Sequence, residues 1–181
     1  KDIILKKLID LKDDGSFRLN MKYFNYATGL TMTNKNFSNL FAHKAREPEK
    51  ELLTQFHMDI AASIQAVTEE IVLKLTKSIA QETQIKNLCM AGGVALNCVA
   101  NGKILKNNIF ENIWMQPASG AAGGSLGAAL AFWYHELGEK RSIPSPLDDM
   151  KGSYLGPSFK DEHIEKTLVS LGAKFQKYDE E

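Results

Sequence analysis

The chain has 181 residues, 44% hydrophobic and 24% charged, which is typical of a globular protein with one full domain or one domain and a fragment. Its 22 basic and 22 acidic residues cancel, so no overall basic field would attract nucleic acid or an anionic membrane. No apolar run approaches the about 20 residues that a membrane span needs. We therefore expect no nucleic acid and no membrane among its partners.

The first fifty residues predict short elements. Residues 1–10 are amphipathic and predict a helix, and Asp14-Gly15 predicts a turn. The stretch after Phe17 indicates short strands or irregular structure. A short helix is predicted around residues 37–41, followed by a charged loop over 43–51.

A long helix is predicted over residues 54–82, with Thr54 as its N-cap. Apolar residues recur on it at steps of three or four, which predicts one buried face packed against a sheet. Burial of each such side chain contributes about 1.5–3 kcal/mol. The face consists of Phe56, Ile60, Ile64, Val67, Ile71, Leu75 and Ile79.

The next fifty residues alternate between strand and helix. Strands are predicted over 88–91 and 112–116, and helices over 97–106 and 123–137. This alternation indicates a largely parallel sheet with helices on its faces.

The composition changes after Glu139, where two prolines and no periodicity mark the best domain boundary. A capped helix is predicted over 158–171, ending at Gly172. It is too short to be a domain and indicates a packed extension or the opening of a second domain. Because the chain starts at Lys1 and stops at Glu181 without a closing element, we expect it to be a piece of a longer protein.

Two glycine-rich turns are the candidate ligand site. Gly92 and Gly93 end the first strand, and Asn97 follows at the start of a helix, where its amide suits a ribose or a base edge. Gly123 and Gly124 open a second helix, whose N-terminus favours an anion.

The glycines of both turns can also be explained without a ligand. The first fits a tight strand-to-helix turn, and the glycines of the second fit close helix packing. We expect Gly127 and Ala128 to serve such packing, whereas Gly123 and Gly124 are the better ligand candidates.

Other reactive side chains predict no site. His57 and Asp59 lie two residues apart and share no helix face, so a catalytic pair is not expected. For Cys89 and Cys98 a disulfide stays open, but two buried thiols in a reducing cytosol are favoured, which predicts a cytoplasmic protein. The remaining histidines are expected in solvent and the tryptophans in packing: His43, His135, His163, Trp114 and Trp133.

Several motifs in the same order resemble one family. They are RLNMKYFNY, MDIAASIQAVTEEIV, LCMAGGVALNCVANGKI, FENIWMQPASGAAGGSLGAAL and GSYLGP. Together they resemble the nodulation-type O-carbamoyltransferases over nearly the whole chain. The same core is more distantly similar to the ATPase of tRNA threonylcarbamoylation.

The resemblance implies an α/β fold of the actin, Hsp70 and sugar-kinase type, with a mixed sheet flanked by helices and incomplete as a fragment. Residues 1–140 would be the second half of a Kae-like nucleotide-binding domain. Residues 141–152 would be a linker, and 153–181 the truncated start of a C-terminal, YrdC-like domain. The partners implied are the missing half of the first domain and the remainder of the second.

The resemblance also implies a reaction. ATP and carbamoyl phosphate give a carbamoyl-adenylate, whose carbamoyl group moves to a hydroxyl of a small-molecule or sugar acceptor. Gly92, Gly93 and Asn97 would line the nucleotide cleft, and Gly123 and Gly124 would lie near the phosphates. We expect the isolated chain to be inactive.

Two departures from the family concern a divalent, iron-like metal. The HxxxH motif of the family is absent from this chain, and Ala121 stands where the family carries a metal-binding Asp. We therefore assign no metal ligand. The alternatives left open are another phosphotransferase of the same fold, such as a sugar kinase, and a degenerate lobe that binds nucleotide without turnover.

Overall fold

A computed structural model describes residues 1–142 and 150–178 of the chain. The chain divides into two compact units, Lys1–Leu130 and Ala131–Glu181. Most of the predicted linker falls on residues 143–149, and the predicted second domain ends with 179–181; both stretches lie outside the described residues. The identities assigned to the predicted domains stay predictions.

The chain begins with a π-helical segment, Ile4–Leu8, that leads directly into strand β1, Ile9–Leu11. β1 pairs antiparallel with β2, Phe17–Leu19, so the helix predicted over residues 1–10 is wrong in its last part. Strand pairing and burial of Ile9 prevail over the helical pattern there. The predicted turn is confirmed: Gly15 has φ +90°, and a Cβ on it would collide with the backbone of Leu75.

Helix α1, Lys35–Leu40, follows a 3₁₀ turn, Met21–Tyr23. The Asn34 side chain caps α1 by accepting hydrogen bonds from the backbone of Asn36 and Phe37. The short helix predicted near Phe37 is thus confirmed, about two residues earlier than expected.

Helix α2, Gln55–Thr83, is the predicted long helix, and Thr54 is its N-cap as expected. His57 stands three residues after the cap, and its Nδ1 accepts the Thr54 backbone N–H at 3.0 Å. This is the arrangement of a capping box, with a histidine where glutamate or glutamine is usual.

α2 has two packed faces rather than the single stripe predicted. One contributes Val67 and Ile71 to a first core cluster with Ile4, Leu8 and Ile9. The other contributes Val72, Leu73 and Ala80 to a second cluster with Ala100, Ile104 and Phe110. Ile64 and Ile79 of the predicted stripe are 50% and 45% exposed, so the stripe is not buried along its whole length.

Strands β3, Asn87–Met90, and β4, Asn112–Met115, pair in parallel and are joined through helix α3, Cys98–Lys106. The parallel pairing predicted from the alternation is confirmed for these two strands. Side chains alternate along both strands between half-buried and exposed. The structure is thus a mixed α/β arrangement of short sheets flanked by helices.

Helix α4, Gly124–Ala131, and the π-helical segment Phe132–Glu136 together cover nearly all of the helix predicted over 123–137. The close packing expected at Gly127 and Ala128 is wrong for the described residues: both are exposed, and a Cβ at Gly127 would meet nothing within 4 Å.

The second unit contains a 3₁₀ turn, Lys151–Ser153, and helix α5, Asp161–Ser170. Two acidic residues occupy the first turn of α5 and Gly172 follows its end with φ +64°, as the predicted capped helix requires. Among the helices described, none combines the length and the apolar character needed to cross a membrane.

Candidate functional site

The two glycine turns lie side by side at one edge of the parallel pair. Met90 and Met115, the last residues of β3 and β4, are register partners. Beyond them the Gln116 N–H donates to the Met90 carbonyl at 3.1 Å, and the Gly92 N–H donates to the Ser119 carbonyl at 2.8 Å. The carboxyl ends of parallel strands are where α/β proteins usually bind ligands.

The first turn depends on a conformation that glycine alone adopts readily. Gly92 has φ +100° and ψ 160°, a region essentially closed to residues with a side chain. A 3₁₀ turn, Gly93–Leu96, follows. A Cβ on Gly93 would meet nothing within 4 Å, so the backbone there faces open space.

The second turn uses its two glycines in different ways. A Cβ on Gly123 would collide with the carbonyl oxygen of Ala118, whereas a Cβ on Gly124 would meet nothing within 4 Å. The Gly123 N–H donates to Gly120, and that of Gly124 donates to Ala121, within the 3₁₀ turn Ala121–Gly123. The close approach of the Ala118 carbonyl therefore explains why residue 123 is a glycine, whereas open space lies beside Gly124.

Asn97 is the N-cap of α3. Its Oδ1 accepts the Ala100 N–H at 3.1 Å and a hydrogen bond from the Gln65 side chain at 3.1 Å. Its Nδ2 donates to Gln65 at 2.9 Å. The side chain expected to bind a ribose or a base thus also links α3 to α2 by hydrogen bonds.

A buried carboxylate supports this link between α3 and α2. Glu69 is 8% exposed and accepts hydrogen bonds from Gln65 at 2.9 Å and from Lys103. The Lys103 ammonium first, and the Gln65 amide second, hold the pKa of the Glu69 carboxyl below its usual range. Glu69 is therefore ionised at neutral pH.

Ser119 is a candidate that the sequence reasoning missed. It is 7% exposed, and its Oγ is buried without a hydrogen-bond partner among the described residues. Its carbonyl joins the two turns. Gln65 and Glu69 were also missed, although two polar residues four apart within an apolar helix pattern were a usable signal.

Ala121 offers only a methyl group at the position of the expected metal-binding carboxylate. Over residues 1–142 and 150–178, no three histidine, cysteine, aspartate or glutamate side chains converge as a metal site would require. We therefore assign no metal ligand to the described residues of this chain.

His57 and Asp59 have different partners: His57 caps α2, and Asp59 accepts a hydrogen bond from Gln55 at 2.7 Å. His135 and His163 are exposed as expected, but His43 is half-buried and stacks on Phe56, so that prediction is wrong.

The packing predicted for the tryptophans and cysteines is also wrong. Trp114 and Trp133 are 44% and 50% exposed. Cys89 and Cys98 are free and exposed rather than buried. Trp114 and Cys89 are register partners on the open face of the β3–β4 pair, which explains the exposure of both.

Comparison with known proteins identifies relatives for most of the chain. A family model described as carbamoyltransferase N-terminus matches residues 1–130, which coincide with the first compact unit. An uncharacterized protein of Synechocystis is 56% identical over 182 residues, covering 99% of this chain and 29% of that protein.

Two nodulation proteins are also similar. Nodulation protein NolNO of Sinorhizobium fredii is 40% identical over 124 residues, 68% of this chain and 18% of its own length. Nodulation protein NolO of Bradyrhizobium diazoefficiens is 41% identical over 120 residues, 66% of this chain and 21% of its own length. The chain spans less than a third of each of these relatives. With the family model matched over most of its length, the chain belongs to the carbamoyltransferase family.

Proposed function

We propose that the full-length protein is an ATP-dependent O-carbamoyltransferase and that this chain forms one wall of its nucleotide site. The observation that carries the proposal is the hydrogen bond from Gly92 to Ser119, which holds two glycine turns together at the carboxyl ends of parallel strands. Membership of the carbamoyltransferase family supports a carbamoyl group as the group that is transferred.

The backbone at Gly92 and Gly93 and the Asn97 amide would line the nucleotide cleft. Gly124 would lie near the phosphates at the start of α4, with Gly123 shaping the turn. The open space beside Gly93 and Gly124 fits a ligand that approaches the main chain closely. No buried cation of the described site neutralises phosphate, so we expect charged groups from the rest of the protein to do so.

The donor would be carbamoyl phosphate: water would displace its phosphate as inorganic phosphate, and an oxygen of the resulting carbamate would attack the α-phosphorus of ATP, displacing pyrophosphate and giving a carbamoyl-adenylate. In the transfer step, the acceptor hydroxyl oxygen would bond to the carbamoyl carbon, the bond from that carbon to the phosphate oxygen would break with release of AMP, and the hydroxyl proton would pass to water. This chain would contribute by positioning the nucleotide. The acceptor would be a small molecule or a sugar.

The rest of the longer protein would complete the site. We infer that the described α/β unit belongs to a lobe of the actin, Hsp70 and sugar-kinase type, completed by the missing half of its domain and followed by a YrdC-like domain in the cytoplasm. The isolated chain would then turn over neither ATP nor carbamoyl phosphate. Turnover by the chain alone would contradict this arrangement.

A degenerate lobe that binds nucleotide without turnover is the second candidate. Ala121 favours it, because a methyl group replaces the metal-binding carboxylate expected there.

Calorimetric titration of the full-length protein with a non-hydrolysable ATP analogue and with carbamoyl phosphate tests the proposal. We expect binding of the analogue to be lost in Gly93→Trp, because the indole would fill the open space beside the turn. Gly156→Trp is the matched control, since a Cβ there also meets nothing within 4 Å but the residue lies in the second unit.

The outcomes separate the two candidates. Binding of both compounds together with carbamoylation of an acceptor supports the transferase. Nucleotide binding without turnover and without metal in the same sample favours the degenerate lobe. If the wild-type protein binds no nucleotide, both are wrong.

A further inference from the structure

Gln65 of α2 and Asn97 of α3 form a reciprocal pair of amides. Gln65 Nε2 donates to Asn97 Oδ1 at 3.1 Å, and Asn97 Nδ2 donates to Gln65 Oε1 at 2.9 Å. Both side chains are partly buried, which excludes much of the competing water. The pair joins the residue that ends the first glycine turn to a helix 32 residues earlier in the chain.

A second contact between the same helices fixes the orientation of the Gln65 amide. Gln65 Nε2 also donates to Glu69 Oε1 at 2.9 Å, and Glu69 pairs with Lys103 of α3. Because an ionised carboxylate only accepts hydrogen bonds, it holds the NH₂ side of the amide toward itself. Gln65 Oε1 is then free to accept from Asn97.

Lys103, Glu69, Gln65 and Asn97 therefore form a closed ring of contacts that begins and ends on α3. The ring determines which way the Asn97 amide faces. Asn97 Oδ1 is occupied by Gln65 and by the Ala100 N–H, so one N–H of Nδ2 is left for a ligand among the contacts described for the chain.

We propose that Gln65 is a positioning residue for nucleotide binding: its amide orients Asn97 so that the Asn97 N–H faces the cleft, as a donor to an oxygen or ring nitrogen of the nucleoside. This assignment rests on the proposed function. Gln65 itself does not contact the ligand and acts through Asn97.

Calorimetry of the full-length protein with the non-hydrolysable ATP analogue provides the test. Gln65→Leu removes both amide contacts at similar size, and we expect the dissociation constant to rise about tenfold, the equivalent of one well-formed hydrogen bond. Affinity for carbamoyl phosphate should not change. Should Gln65→Leu fail to fold, Gln65→Asn keeps a polar amide but is one methylene too short to reach Asn97.

Gln55→Leu is the matched control. Gln55 makes the same type of contact to a carboxylate four residues later on α2, to Asp59 at 2.7 Å, but it is exposed and does not pair with α3 in the described structure. This variant should bind the analogue as the wild type does.

A double-mutant cycle separates positioning from general loss of stability. In an Asn97→Ala background, Gln65→Leu should change the affinity by less than about twofold, because its effect passes through Asn97. A full tenfold loss in that background would show that Gln65 acts by another route and overturn the assignment. So would wild-type affinity in Gln65→Leu. If the wild-type protein itself binds no nucleotide, the proposed function fails, and this assignment fails with it.

Discussion

The two glycine turns differ in what holds them. The first, from Gly92 to Asn97, is fastened by side chains of α2 through Gln65. The second, from Gly120 to Gly124, is held by hydrogen bonds within its own backbone, and Gly123 packs directly against the Ala118 carbonyl.

This difference indicates which substitutions should disturb each turn. The shape of the second turn depends on the absence of a side chain at Gly123, and apart from the hydrogen bond between Gly92 and Ser119 the contacts described for it are local. The shape of the first depends on one glycine conformation, at Gly92, and on polar residues distant in sequence. Substitutions at these positions should therefore affect the turns in different ways.

The largest effect is expected at Gly123. Gly123→Ala places a methyl group against the carbonyl oxygen of Ala118, so the turn must shift, and we expect the free energy of unfolding to fall by roughly 3 kcal/mol. Gly124→Ala is the control, because its Cβ has open space and alanine favours a helix. Urea denaturation of the full-length protein measures both. Equal losses of unfolding free energy in the two variants would mean that the contact with Ala118 is not the reason for a glycine at residue 123.

The second-largest loss of stability is expected from substitution of Gly92. Gly92→Ala forces a side chain onto a residue with φ +100° and ψ 160°, which costs about 2 kcal/mol of folding free energy. Gly93→Ala should change stability by less than about 0.5 kcal/mol, since nothing lies within 4 Å of its Cβ. The same denaturation experiment compares the two variants. A harmless Gly92→Ala would show that the backbone of the first turn is not constrained as described.

Glu69 should make the first turn sensitive to acid. Its folded-state pKa lies below the ordinary value of 4.5, so its contribution to stability is present above about that value and is lost as the pH falls through the lower, folded-state pKa. Glu69→Gln should flatten this part of the profile of unfolding free energy against pH. Glu111→Gln is the control, because its ion pair with Lys86 is exposed. A profile that is unchanged in Glu69→Gln would contradict the role of the carboxylate.

The smallest effect on stability is expected at Ala121. Ala121 is exposed, so Ala121→Asp should change the unfolding free energy by less than about 0.5 kcal/mol while raising the content of divalent metal in the full-length protein. Ala122→Asp, one residue later and also exposed, controls for added charge. Metal content and activity that match the wild type would show that residue 121 does not determine metal binding.

Much of the secondary structure of the glycine-rich region could be predicted from the sequence. Periodicity and flanking glycines predicted β3, α3 and β4 to within a few residues, and the alternation predicted their parallel pairing. The prediction failed at Ile9 and Asp10, whose helical pattern is overridden by strand pairing with Leu19 and Arg18. For α2 the prediction was right in part: Val67 and Ile71 of the predicted stripe pack in the first cluster, but the second packed face, with Val72, lies outside that stripe.

The candidate site was predicted in part. The glycine motifs identified both turns, and the order of motifs identified the carbamoyltransferase family. The roles of Gly92, Gly93, Asn97, Gly123 and Gly124 in binding a ligand stay predictions. Ser119 was missed because a buried hydroxyl has no local signature. The spacing of Gln65 and Glu69 on one helix was a usable signal, but the partner of Gln65 on the next helix, Asn97, lies 32 residues away and is not visible in the local pattern.

By itself, the sequence determined the features that depend on neighbouring residues: the long capped helix, the strand and helix alternation, and the positions of the two glycine turns. Hydrogen bonding along the chain and side-chain periodicity are local, so they can be read from a single segment. Only the tertiary structure decided which segments meet. The contact of Gln65 with Asn97, the bond from Gly92 to Ser119 and the exposure of Cys89 and Trp114 all arise from packing between distant parts of the chain.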